Sequence, residues 1–142
     1  MTVRLLVAAL IACCSAGCVV NSSARESAEH AEILYIPLPM TTYTAVTLDN
    51  IGIEGSCSLT ASARQFQWLS QLETRPGQEF DGLNVRAKIR LGPTDYYVDS
   101  NGVVLTPNGQ IALSASEKAD LVGSLESLRK ASSCNQYDWL DD

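Results

Sequence analysis

Histidine is nearly missing from this sequence, since His30 is the only one among 142 residues. It lies in a polar stretch without apolar periodicity, so a rigid site built around it is not expected. Histidine-dependent triads and histidine-rich metal centres therefore have little support. The chain also lacks a glycine-rich phosphate loop and a Gly-x-Ser-x-Gly motif, which are the usual signs of nucleotide binding and α/β-hydrolase chemistry. We expect no cofactor and no metal.

A complete calcium loop is missing too. Asp99-Ser100-Asn101-Gly102 has the residue types that begin such a loop, but Gln110 stands where a glutamate would close it. Asn101-Gly102 and Asn108-Gly109 are instead strong signals of two-residue hairpin turns of type I′. A pair of carboxylates remains open as a catalytic device, because glycoside hydrolysis needs only two of them.

Long hydrophobic runs are absent, and none reaches the roughly 18 apolar residues of a membrane-spanning helix. The longest apolar stretch runs from Leu5 to Cys14 and follows a short start that carries Arg4. A basic start, an apolar stretch and then small residues are typical of a secretory signal. Residues 1–17 are therefore predicted to be a signal peptide.

The end of this segment, Ser15-Ala16-Gly17-Cys18, resembles the lipobox of bacterial lipoproteins. The resemblance implies cleavage before Cys18, acylation of that cysteine by chains such as palmitate, and anchoring to the membrane of the cell envelope. Val19 is not the aspartate that retains such proteins in the inner membrane, which favours the outer membrane, facing the periplasm. The alternative is ordinary signal cleavage after Ala16 or Ala24, which would give a soluble periplasmic or secreted protein.

The charge of the chain argues against nucleic acid as a partner. Cleavage would remove Arg4 and leave nine basic residues of the original ten against sixteen acidic ones, so the net charge would change from −6 to −7. Proteins that bind nucleic acid usually present a basic face or stripe to the phosphates. Membrane attachment would likewise depend on the acyl chains rather than on charge.

Two cysteines remain after the signal is removed, Cys57 and Cys134. An exported compartment permits disulfides, and two cysteines allow one bond. Neither lies in a Cys-x-x-Cys motif or near the histidine, so a structural disulfide is predicted rather than a redox or metal site.

The remaining chain divides into a flexible tether over residues 18–32 and a single globular domain over 33–142. Within the domain, the prolines of residues 33–39 predict an edge strand or an extended arm. Residues 41–48 are rich in β-branched residues and predict a strand. Apolar spacing predicts a helix over 60–74. Alternation and turn signals predict an antiparallel four-stranded meander over 84–114, and Ser114 with Glu117 predicts a capped helix after it. The expected fold is α+β, an antiparallel meander of four to five strands with both helices on one face.

A basic ladder stands out in this acidic protein. Alternation places Arg86, Lys88 and Arg90 on one face of the strand at 84–91. Either cross-strand acids neutralise it, or it forms a docking face together with Tyr97 for an acidic partner or an anionic polymer.

The C-terminus is a second candidate surface, because Tyr137 and Trp139 lie among three acids there. These aromatics either pack on the core beside Cys134 or form an exposed peptide for another protein. The functional expectation is a non-enzymatic envelope lipoprotein that binds a protein partner as an adaptor, inhibitor or immunity-type protein. The alternative is a small envelope hydrolase that uses a carboxylate pair on peptidoglycan or sugar.

Overall fold

Six antiparallel strands in one sheet organise the chain in our computed structural model, which describes residues 29–53, 55–134 and 136–137. The predicted signal peptide, Cys18 and most of the predicted tether lie outside this range. The strands and helices follow in the order β1 (His30–Tyr35), β2 (Cys57–Ser62), α1 (Ala63–Phe66), a 3-10 helix (Gln67–Gln71), β3 (Val85–Leu91), β4 (Thr94–Asp99), β5 (Val103–Thr106), β6 (Gly109–Ala112) and α2 (Ala115–Ala131). Across the sheet the order is β2-β1-β3-β4-β5-β6.

Strand β1 is central, not an edge strand, because it pairs with both β2 and β3. The sequence suggested an edge because of Pro37 and Pro39, but the strand ends before them at Tyr35. No ladder donor is therefore lost. The strand also begins at His30, so the sheet starts before the predicted domain boundary at residue 33.

The predicted helix over 60–74 is much shorter in the structure. Its first residues belong to β2, and the helical part is α1 followed by the 3-10 helix, which ends at Gln71. Apolar residues at helical spacing are still buried there, as Phe66 and Leu69 show. The alternation of Cys57, Leu59 and Ala61 continues a strand into the predicted helix, because pairing with β1 satisfies the backbone groups of these residues.

The meander over 84–114 is confirmed as strands β3 to β6, although its turns differ from prediction. Three residues, 100–102, connect β4 to β5, and Gly102 there has a φ of 84°. Pro107 and Asn108 connect β5 to β6, and Gly109 already pairs with Thr106. Since no described residue except glycine has positive φ, this second turn is not the type I′ turn that Asn-Gly predicted.

One face of the sheet carries the main core. It receives alternate residues of the strands, such as Ile33, Leu59 and Ile89, which pack with Leu121 and Leu125 of α2 and with Phe66 and Leu69. Ser114 caps α2, accepting from the Glu117 backbone N–H while the Glu117 carboxylate accepts from Ser114 N. The fold is therefore α+β as predicted, with both helical segments over one face of an antiparallel sheet and with slightly more strands than expected.

The opposite face, which we call the second face, is covered in part by the segment after β1. Ile36, Val46 and Ile51 of this segment form a smaller apolar cluster with Val85, against which Leu34 and Tyr97 pack. The predicted strand at 41–48 does not form. Val46 makes only an isolated parallel bridge to Asn84, just before β3 begins.

Candidate functional site

The uncovered part of the second face contains the surface candidates from the sequence. We call it the open strip and define it by Glu32, Lys88, Arg90 and Asp95, with Ser58 and Thr60 of β2 beside them. A groove of about 300 Å³ runs along it, lined by Glu32, Lys88, Arg90 and Thr60 among others. The antiparallel register places Arg90 opposite both Glu32 and Asp95.

Ion pairs cross these strands. Lys88 Nζ lies 3.1 Å from Asp95 Oδ2, and Arg90 Nε lies 2.7 Å from Asp95 Oδ1. On the other side, Arg90 Nη1 lies 3.6 Å from Glu32 Oε2. Hydrogen bonds from Arg90 are the main reason that the pKa of the Asp95 carboxyl is lowered. Two cations thus face two carboxylates, so the open strip is locally neutral and of mixed charge.

Arg86 does not belong to this surface, so the predicted three-residue ladder is wrong at its first member. The register shifts between Val85 and Ala87, which makes Arg86 the extra residue of a β-bulge and breaks the alternation. Its side chain donates to the carbonyls of Val85 and Met40, and the residue is 3% exposed. Burial lowers the pKa of this guanidinium, and its Nε has no hydrogen-bond partner among the described residues.

Tyr97 lies at the border between the open strip and the covered part of the second face. Its ring packs against the smaller apolar cluster, and Lys88 Nζ lies 5.4 Å from the ring centroid. This distance suits a cation–π contact. Lys88 is therefore positioned by Asp95 on one side and by Tyr97 on the other.

The structure describes only one of the two aromatic candidates near the C-terminus. Tyr137 is 7% exposed in the main core, and its hydroxyl donates to the Gly55 carbonyl. It is therefore not an exposed docking residue. Trp139 lies outside the described residues, as does the predicted lipidation site Cys18.

The predicted disulfide is present. Cys57 at the start of β2 is bonded to Cys134, just after α2, with a Cα–Cα distance of 5.8 Å. Cys57 is buried in the main core, so the bond holds the end of α2 over the sheet. The bond therefore joins the end of α2 to strand β2.

Sequence reasoning missed a buried polar network under α2. The Tyr35 hydroxyl donates to Glu126 Oε1 at 2.6 Å, and Arg129 Nε donates to Glu126 Oε2 at 2.8 Å. Burial, and then the bond to Glu126, raise the pKa of Tyr35 far above its ordinary value. The available signal was the helical spacing of Leu121, Leu125 and Arg129, which places the arginine on the buried stripe.

The aspartate of the calcium-like motif also has a structural role. Asp99 is fully buried, and its carboxylate accepts from the N–H groups of Asp81, Asn101 and Val103 at 2.8, 2.9 and 2.8 Å. These bonds hold the connection between β4 and β5. The motif therefore forms the hairpin connection between β4 and β5, as the Asn-Gly signal predicted.

A larger groove, of about 780 Å³, lies at the end of the sheet where β1 begins. His30, Arg64 and Tyr96 line it together with Glu29. Its charged groups are of both signs, and within the described residues no three His, Cys, Asp or Glu side chains are grouped so that they could hold a metal ion.

The described carboxyls with altered pKa values all shift downward. Hydrogen bonds from Arg75 to Glu117, at 2.7 and 2.8 Å, lower the pKa of Glu117 to about 2. A hydrogen bond from the Asn84 side chain lowers the pKa of Asp81, and hydrogen bonds from Arg90 lower that of Asp95. A general acid in a carboxylate pair needs a raised pKa instead.

In comparisons with known proteins, no family model, no curated protein and no solved structure matches the chain. In the described part of the chain, no helix combines the length and hydropathy needed to cross a membrane.

Proposed function

We propose that this chain is a small envelope lipoprotein that acts without catalysis, by binding a protein partner as an adaptor, inhibitor or immunity-type protein. The signal-like N-terminus with Cys18 supports lipid anchoring, at the outer membrane facing the periplasm. The Cys57–Cys134 bond supports an oxidising compartment, where structural disulfides persist.

One observation carries the binding function: the open strip is uncovered, while residues of chain 36–53 pack over a neighbouring part of the second face. It presents charges of both signs, held in place by cross-strand pairing on a sheet. Arg90 has 46% of its side chain exposed, which leaves donors accessible beside its carboxylate partners. A partner with its own ordered positive and negative groups would match this pattern, since charge complementarity sets specificity and register.

Catalysis by a carboxylate pair has no specific support in this geometry. Asp95 is held ionised by Arg90 and Lys88, and Glu117 is held ionised by Arg75. Both carboxylates stabilise elements of the fold through these contacts. The binding proposal is therefore the one that the charged groups favour.

The test is quantitative capture from an envelope extract with the tagged chain expressed in full, whose acylated Cys18 is verified by mass spectrometry. We expect a stoichiometric partner, and at least about a tenfold loss of affinity, or 1.4 kcal/mol, in the double variant Lys88→Gln/Arg90→Gln. The same variant should lose less than about 1 kcal/mol of stability, because surface ion pairs contribute little.

Arg64→Gln is the matched control, since Arg64 is exposed on α1 and lines the groove at the end of the sheet rather than the groove of the open strip. It should capture the partner like the wild type. Equal capture by the double variant would exclude the open strip as the docking surface. Turnover of peptidoglycan that disappears with a single carboxylate substitution would favour the hydrolase instead.

A further inference from the structure

The outer edge of β2 presents backbone groups that are available for another strand. Ala63 N donates to the Glu29 carbonyl at 2.9 Å, which sets the phase of the ladder so that odd-numbered residues of β2 bond to β1. The N–H and C=O groups of Ser58, Thr60 and Ser62 therefore point outward. They have no hydrogen-bond partner among the described residues, and all three residues are exposed.

The opposite edge of the sheet is treated differently. Segment 75–80 runs along β6, where Arg75 bridges to Ile111 and the Phe80 N–H donates to Gln110 Oε1 at 3.0 Å. Gly77 lies so close that a Cβ on it would come within 2.7 Å of the Ala112 Cβ. The fold thus covers one edge tightly and leaves the other open across the residues that the structure describes.

Strand β2 also lacks the features that usually prevent edge pairing. Proteins protect edges with proline, lysine, inward charges, bulges or very short strands. The sequence Cys-Ser-Leu-Thr-Ala-Ser has none of these residues, the strand is six residues long, and its register with β1 is regular. An edge of this kind is a template for a further strand.

We propose that β2 pairs with β2 of a second copy of this chain, antiparallel and centred on Thr60. In this register Thr60 faces Thr60 of the other copy, and Ser58 faces Ser62. Each of these pairs exchanges two backbone hydrogen bonds, and any other two-fold register pairs fewer of the outward groups. The sheet then continues through both copies.

The residues favour a second copy over a different strand. The residues whose backbone groups point outward, Ser58, Thr60 and Ser62, all have small hydroxyl side chains. Their order Ser-Thr-Ser is the same in both directions, so the strand is complementary to itself. Thr–Thr and Ser–Ser cross-strand pairs are favourable, and no charged side chain of β2 opposes its copy. Glu32 is the residue of β1 that pairs with Thr60, one strand inward, so the two Glu32 side chains would be separated by about three strand spacings, roughly 14 Å.

Cysteine cross-linking of the full purified chain tests both the pairing and its register. Thr60→Cys should form a covalent dimer on mild oxidation, because hydrogen-bonded antiparallel pairs have Cα atoms about 5.5 Å apart, within disulfide range. Ser58→Cys alone should not cross-link, whereas a mixture of Ser58→Cys and Ser62→Cys chains should. Ser70→Cys, exposed in the 3-10 helix, controls for random collision.

An edge-blocking variant gives a readout that does not depend on added thiols. Thr60→Lys should convert the dimer to a monomer in sedimentation analysis while the melting temperature stays within a few degrees, since Thr60 is exposed. A wild-type monomer at all concentrations, or cross-linking of Ser70→Cys as fast as that of Thr60→Cys, would overturn the proposal. So would efficient cross-linking of Ser58→Cys to itself. Loss of partner capture in the open-strip variant leaves these outcomes unchanged, so the two proposals fail separately.

Discussion

One face of the sheet is buried beneath α2 and the short helical segment, whereas the other is half covered by a loop and half occupied by ion pairs. The first face uses Leu and Ile side chains with almost no exposed area, such as Leu125 and Ile89. The second uses a four-residue apolar cluster and the charged groups of the open strip. Stability should therefore be concentrated on the first face, and the second is free to vary for recognition.

This difference matters because apolar burial and surface charge contribute very unequal free energies. A buried leucine stabilises by several kcal/mol when its cavity cost is included. An exposed ion pair contributes about 0–1 kcal/mol, and salt weakens it further. A surface for a partner can therefore be built from charges without placing the fold at risk.

The largest effect should come from the bond that holds α2 to the first face. Replacing Cys57 and Cys134 together by alanine opens a loop with a sequence separation of 77 residues. The chain-entropy treatment gives a loss of roughly 4–5 kcal/mol in the free energy of unfolding. Urea unfolding of the double variant measures this loss. A change below about 1 kcal/mol would show that burial of α2 alone secures the first face.

A leucine on each face gives the direct comparison. Leu125 is completely buried in the main core, and Leu34 is half-buried against the smaller cluster. Leu125→Ala should destabilise by about 3 kcal/mol and Leu34→Ala by about 1 kcal/mol, because the latter leaves a site that solvent can fill. Thermal unfolding of both variants at one pH tests the ranking. Equal losses would mean that the second face is as important for stability as the first.

The smallest effect should come from Asp95 in the open strip. Its folded pKa is lowered, mainly by Arg90, so its stabilisation is present above the ordinary pKa of 3.8 and is lost as the pH falls through the lower folded value. Asp95→Asn should therefore cost less than about 1 kcal/mol at neutral pH, and the difference from wild type should vanish in strong acid.

Unfolding curves at several pH values, with and without added salt, measure this difference for Asp95→Asn. The exposed Asp120 of α2 provides the control substitution Asp120→Asn. A loss that persists unchanged in strong acid would mean that Asp95 stabilises the strands by contacts other than its charge.

The elements whose signals are local were predicted well. Strict alternation identified β3 from Ala87 onward, and the Ser114–Glu117 spacing identified the start of α2. The disulfide followed from cysteine count and compartment, and the structure contains it. These features depend on neighbouring residues or on one pair of cysteines, so the sequence carries their whole signal.

The incorrect predictions concern residues whose structure is decided by segments far away in the sequence. The bulge at Arg86 follows Val85, whose N–H donates to the carbonyl of Val46 at 2.8 Å, far away in sequence. Residues 41–48 have high β-propensity, yet only Val46 forms a bridge, because the strand position beside β3 is already taken by β1. Intrinsic preference loses to pairing that spans many residues.

By itself the sequence determined the α+β class, the apolar face of α2, the cysteine pair and the placement of Lys88 and Arg90 on one face of a strand. These depend on periodicity and composition, which act locally along the chain. Only the tertiary structure decided that Arg86 is buried while Lys88 and Arg90 remain at the surface, that β1 is central, and that β2 has an open edge. The physical reason is that burial and strand order are set by contacts between segments far apart in sequence. A single bulged residue changes which of the following side chains are exposed to solvent.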